Sequence, residues 1–129
     1  MSQANVELVR HFYAADDQTA ALATMCAPDV VLDLTALFLD QPLLRGYDEG
    51  LRYLEASPWA SLRFNPEHYF DVDDERVLVL VRTVQTGRGS GVTLETRGAQ
   101  EFTFHDGLVT HYKVYPDPAE ALKAVGLEE

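Results

Sequence analysis

The chain of 129 residues fits one domain, residues 1–129, and is long enough to bury roughly two-thirds of its unfolded surface. An apolar share of 47% and a charged share of 24% are those of a globular protein rather than a disordered one. The formal net charge of −11 argues against nucleic acid, whose phosphates need clustered Lys and Arg, and against an anionic membrane surface.

Residues 4–15 read as a helix, with Leu8, Phe12 and Ala15 at helical spacing and Val9 and Tyr13 beside them. Asp16 and Asp17 interrupt it, and a second helix, Thr19 to Ala27, ends at Pro28 and Asp29. Val30 to Leu34 is short and β-rich, hence a strand, and Thr35 to Pro42 is an apolar loop that reads as lying over something. Gly46 precedes a third helix, Asp48 to Ala56, closed by Ser57 and Pro58. The pattern then changes to strands. Leu62 to Val72 is the first, with Pro66 demoting that part to an edge or bulge. Val77 to Thr86, Val92 to Phe104 and Leu108 to Tyr115 follow, the last two joined by a hairpin turn at His105-Asp106-Gly107. Pro118 to Val125 reads as a terminal helix stopped by Gly126. Helices first and a meander later predict an α+β fold, an antiparallel sheet with helices on one face.

Cys26 is the only cysteine, which excludes an intrachain disulfide and a paired-cysteine zinc site. The four histidines show no close helical ligand pair, so no metal is expected. Gly87 to Gly91 joins two strands and opens no helix, so it is not a phosphate loop; Asp71 to Glu75 lacks the Gly and terminal Glu of a calcium loop. The opening MSQANVELVRHF has no signal-peptide core, and no run approaches the ~20 apolar residues of a membrane span. A cytoplasmic protein is the simplest reading.

Several segments carry a resemblance. Arg10-His11-Phe12-Tyr13-Ala14-Ala15, Ala27 to Asp33, Leu44-Arg45-Gly46 before a helix, Phe104 to Val109 and the tail from Tyr115 to Leu127 together resemble small bacterial SnoaL-like proteins of the nuclear transport factor 2-like superfamily. The resemblance covers nearly the whole chain. It implies a cone-shaped, curved antiparallel sheet packed on three N-terminal helices around a small-molecule pocket. It does not fix a reaction, because the class includes isomerases, epoxide hydrolases, polyketide cyclases and non-catalytic binding domains.

Asp33 stands in an otherwise apolar strand, where an unpaired carboxylate is costly. The resemblance places it where ketosteroid isomerases carry their general-base aspartate; the alternative is a strand-end cap or an ion pair with arginine. Alternation in the strand from Val77 puts Leu78, Leu80, Arg82 and Val84 on one face and Val77, Val79, Val81 and Thr83 on the other. Alignment with the isomerases turns the Arg82 face to the pocket, where Arg82 would bind an oxyanion or hold Asp33 ionised, or else snorkel from the sheet edge. Gln100 replaces the isomerases' hydrogen-bonding aspartate, and Phe12, or Tyr13 with a one-residue shift, stands for their oxyanion tyrosine; these departures remove the usual enolate stabilisers and argue against a steroid isomerase. Gln100 would still donate to a ligand carbonyl. Phe102 shares its face, and Tyr112 shares the pocket face of the last strand with Thr110 and Val114, while His111 and Lys113 point away. Tyr53 and Trp59 are placed at the mouth. The expectation is a cofactor-independent enzyme using Asp33, Arg82 and Gln100 on a small, largely apolar carbonyl-type molecule; the rival is a non-catalytic binding protein with the same pocket. A homodimer is expected through the outer sheet face, on an apolar row of Val77, Val79 and Val81.

Overall fold

Val6, Val9, Phe12 and Tyr13 recur at three- and four-residue steps, and this stripe is what helix α1 (Gln3–Ala14) buries. Leu8, expected on the buried stripe, is instead 37% exposed. The computed structural model describes residues 3–34, 43–56 and 59–127. The apolar loop from Thr35 to Pro42 and the helix stop at Ser57-Pro58 lie outside the described residues.

Asp17 caps α2 (Gln18–Met25), its carboxylate accepting from the Ala20 amide at 3.0 Å. The helix ends earlier than the expected Ala27, because Cys26 already pairs with Val109 and opens β1 (Cys26–Asp33). A short strand that the sequence did not reveal, β2 (Leu43–Arg45), pairs antiparallel with β1 and leads into α3 (Tyr47–Glu55). Strands β3 (Trp59–Asp71), β4 (Arg76–Gly87), β5 (Thr93–His105) and β6 (Leu108–Tyr115) form an antiparallel meander, and α4 (Pro118–Ala124) follows. The register of β3 slips between Pro66 and His68, the irregularity expected at that proline. The β5–β6 hairpin turns through Asp106 (φ 52°) and Gly107 (φ 81°), two left-handed residues as a tight hairpin of this hand requires.

The sheet order is β2-β1-β6-β5-β4-β3. The α+β class holds, with one difference from the expected all-antiparallel sheet: β1 runs parallel to β6. The chain reaches that position by an excursion through four other strands and a helix, so the two meet in the same direction. Helices α1 and α3 pack on the sheet, and α1 also packs on α2. Among the described residues no helix is long and apolar enough to cross a membrane, and no three His, Cys, Asp or Glu side chains are grouped to hold a metal ion.

Two cores result. The larger joins Val9, Phe12 and Met25 of the helices to Val30, Leu32, Val77, Val79, Val81, Phe102 and Tyr112 of the sheet. The smaller lies on the other face, where Leu78, Ala99 and Tyr115, with Leu80 beside them, are covered by Ala121 of α4. This overturns the expected orientation of β4. Val77, Val79 and Val81 are 0%, 0% and 2% exposed, so the row proposed for dimerisation is interior core. Both faces of β4 are apolar at this end, and each found a helical cover.

Candidate functional site

Between the helices and the inner sheet face lies a cavity of about 370 Å³. Helix α1 contributes Phe12, α2 contributes Gln18 and Leu22, and Leu32 of β1 and Leu34 just beyond its end face inward at alternate positions. Tyr47 and Tyr53 come from α3, and Trp59, Leu62 and Phe64 from β3. The inner face of β4 adds Val81, Thr83 and Gln85; Thr96 and Gln100 come from β5, and Tyr112 and Val114 from β6. The wall is mostly hydrocarbon and aromatic, the usual character of a small-molecule site.

Of the residues singled out from sequence, the structure brings Phe12, Tyr53, Trp59, Gln100 and Tyr112 together on this wall. Phe102 is fully buried just behind it, its ring 5.8 Å from Phe12 and 5.2 Å from Tyr112. Tyr13 also lies behind the wall, 3% exposed, and acts through Gln100: its hydroxyl donates to Gln100 Oε1 at 2.6 Å. The choice between Phe12 and Tyr13 thus has two answers, since Phe12 lines the cavity and Tyr13 holds a lining residue.

Asp33, Leu80 and Arg82 do not join them. Leu80 packs in the α4 core. Arg82 points outward and donates to Glu95 at 2.8 Å across the β4–β5 ladder. Asp33 lines a groove on the opposite sheet face with Val31, Arg45, Glu101, His111 and Lys113. The physical reason is strand alternation. Val30 and Leu32 are 0% and 6% exposed on the inner side, so Val31 and Asp33 must face out. The placement that motivated Asp33 as a base at the pocket therefore does not hold. The substitution Asp33→Asn is expected to leave affinity for a ligand in the cavity unchanged within about twofold, the ordinary result for a surface position remote from a site. Titration calorimetry of both proteins with one ligand checks this, and a tenfold change would return Asp33 to the site.

The deep end of the cavity is set by one polar pair. Gln100 is 0% exposed, and its Nε2 has no hydrogen-bond partner among the described residues. Such a buried donor is uncommon and calls for an explanation. Burial, with Tyr112 and Tyr69 nearby, holds the Tyr13 hydroxyl well above its ordinary pKa, so it remains a donor and occupies the Gln100 oxygen. The amide nitrogen is what Gln100 has left to offer. Tyr112 is likewise 6% exposed and kept protonated by burial, with Cys26 adding to the effect. The Cys26 thiol is pushed up to about 11 by burial, which keeps it protonated at neutral pH.

Two side chains that sequence reasoning missed fix this pair. Gln18 is 6% exposed; its Nε2 donates to the Tyr13 and Phe64 carbonyls at 3.1 and 2.8 Å, and its Oε1 accepts from the Phe64 amide at 2.9 Å. Arg63 donates to the Tyr13, Ala15 and Asp16 carbonyls at 3.2, 2.7 and 3.2 Å, gathering the exposed carbonyls at the end of α1. Nothing in the sequence pattern separates these from solvent-exposed polar residues. The missed inner face of β4, by contrast, had a signal: its odd positions were an apolar row ending in Thr83 and Gln85.

No curated protein matches the sequence. Solved structures do. A nuclear transport factor 2-like protein of unknown function from Burkholderia pseudomallei is 21% identical, with 94% of this chain and 96% of that one covered at a TM-score of 0.74. TerC, crystallised with polyporic acid, is 17% identical over 95% and 98% at a TM-score of 0.75. A Mycobacterium tuberculosis protein in complex with estradiol-17β-hemisuccinate is 18% identical over 87% and 89% at 0.65. These likenesses show the fold. The sequence itself matches the SnoaL-like domain over residues 7–112, and the chain belongs to that family.

Proposed function

We propose that this protein binds a small, largely apolar carbonyl-bearing molecule in the cavity, with Gln100 Nε2 donating to the carbonyl oxygen. The observation that carries this reading is the fully buried amide with its oxygen engaged by Tyr13 and its nitrogen unpartnered. A carbonyl would satisfy it, and a hydrocarbon ligand would not. On β5, Gln100, Gly98 and Thr96 share the inner face, and Thr96 is exposed where Gln100 is buried. Four strand residues span about 13 Å, which suits a bicyclic or tricyclic molecule lying end-on with its oxygen inward. Two solved structures of the same fold hold organic ligands, polyporic acid in one and estradiol-17β-hemisuccinate in the other.

Binding is favoured over proton transfer by the same wall. Among the described lining residues there is no aspartate, glutamate, histidine or lysine to serve as a general base. The test is calorimetry with acenaphthenone and its hydrocarbon parent, acenaphthene. The substitution Gln100→Leu is expected to weaken the ketone about three- to tenfold, the worth of one neutral hydrogen bond, and to leave the hydrocarbon unaffected. Equal ketone affinity in the two proteins would refute the role of Gln100.

A further inference from the structure

The second polar group at the deep end adds a constraint on the ligand. Tyr112 lies on β6 next to Gln100 on β5: Gln100 pairs with Val114 and Phe102 with Tyr112, so Tyr112 is one same-face step along from the position opposite Gln100. Such diagonal neighbours stand about 7–8 Å apart at the backbone, within reach of long side chains. The Tyr112 hydroxyl has no hydrogen-bond partner among the described residues, although the residue is 6% exposed. Its ring is fixed against Phe102 at 5.2 Å. Of the neighbouring tyrosine hydroxyls, that of Tyr13 donates to Gln100 and that of Tyr47 to the Thr19 carbonyl at 2.5 Å. Two donors without a hydrogen-bond partner among the described residues therefore belong to residues that line one apolar cavity from adjacent strands.

The charge balance points the same way. Arg97 is the only cationic side chain among the described lining residues. Its side chain is 66% exposed and already holds Glu67 at 3.1 and 3.3 Å. No described residue at the buried end would compensate an anion, and desolvating an uncompensated carboxylate is far costlier than desolvating a carbonyl. On a chain of net charge −11, approach of an anion is also opposed at long range.

We infer that the ligand carries two neutral hydrogen-bond acceptors side by side at its buried end, one for Gln100 Nε2 and one for the Tyr112 hydroxyl, as in a vicinal or 1,3-dicarbonyl or an unionised lactone. Tyr112 is then the residue that selects a dioxygenated ligand over a monoketone. This rests on the reading of the cavity as a ligand site, and the experiment separates the two. Calorimetry on the whole protein uses four probes built on one naphthalene frame: acenaphthene, acenaphthenone, acenaphthenequinone and 1-naphthoate. The wild type is expected to bind the dione about three- to tenfold more tightly than the monoketone, and the carboxylate at least tenfold more weakly than the dione. Tyr112→Phe is expected to erase the preference for the dione while leaving affinity for the monoketone unchanged. The hydroxyl makes no hydrogen bond among the described residues, so its removal should also leave the melting temperature at or above that of the wild type. If ketone and hydrocarbon bind but the wild type shows no preference for the dione, or if Tyr112→Phe retains that preference, the two-acceptor ligand is overturned and the carbonyl-binding cavity stands. Carboxylate binding as tight as the dione overturns the neutral end. Failure of all four probes to bind overturns both readings.

Discussion

Replacing Gln18 with leucine is expected to lower the unfolding free energy by about 3 kcal/mol, the largest effect of any single substitution considered for this protein. The side-chain amide of Gln18 meets both backbone polar groups of Phe64, donating to one and accepting from the other. Strand β3 is the outermost strand of its side of the sheet, so its outward peptide groups have no neighbouring strand to pair with. Gln18 supplies one peptide's worth of that missing strand. Leucine would fill the space and leave the Phe64 N–H and C=O buried without partners, each costing about 1–3 kcal/mol. The Tyr13 carbonyl would keep Arg63 and lose less. Urea denaturation of the two proteins measures the difference. A loss below about 0.5 kcal/mol would mean that water reaches the β3 edge and that Gln18 is an ordinary surface residue.

The second large effect is a coupling rather than a single loss. Tyr13→Phe would leave Gln100 Oε1 buried and unpaired; Gln100→Leu would leave the Tyr13 hydroxyl buried and unpaired. Each substitution is expected to cost about 2 kcal/mol. In the double variant neither orphan remains, and the pair becomes apolar on both sides. Its stability should lie within about 1 kcal/mol of the wild type, well short of the sum of the two. Additive losses in a denaturation cycle would show that the 2.6 Å bond contributes nothing specific. The cycle also bears on ligand binding, because Tyr13→Phe frees Gln100 to turn its oxygen inward and so blurs the donor that the site presents.

These pairs explain which parts of the molecule could be read in advance. The meander was legible because strand period and turn chemistry are local: His105-Asp106-Gly107 demands a hairpin, and Pro66 demands an irregularity. The inner positions of β5 and β6 were legible as well, since polar Glu101, His111 and Lys113 alternate with Gln100, Tyr112 and Val114. Strand β4 was not, because Leu78 and Leu80 are as apolar as Val77 and Val79, and alternation cannot say which set faces the larger core. Asp33 shows the opposite failure. The alternation of Val30, Leu32 and Leu34 turns it outward, whereas a family likeness places it at the end of a strand without saying which face it takes. The Tyr13–Gln100 and Gln18–Phe64 pairs join residues 87 and 46 positions apart, a separation that no local pattern encodes.

The parallel pairing of β1 with β6 has a consequence for how the chain acquires its structure. Cys26 and Val109 must meet across more than half the sequence before the sheet can close. The closure entropy of that loop is charged early, whereas the contacts that offset it, those of Val30 and Leu32 with the rest of the core, arrive only when β6 is in place. The β3–β6 meander can form from neighbouring segments. Strand β1 has to wait for β6 before the two can pair, and long-range pairing of this kind belongs to slower, higher-contact-order folds than helical bundles. During synthesis α1 and α2 emerge before the strands that cover Val9, Phe12 and Met25, so these apolar faces are uncovered in the interval, when a chain is prone to aggregation.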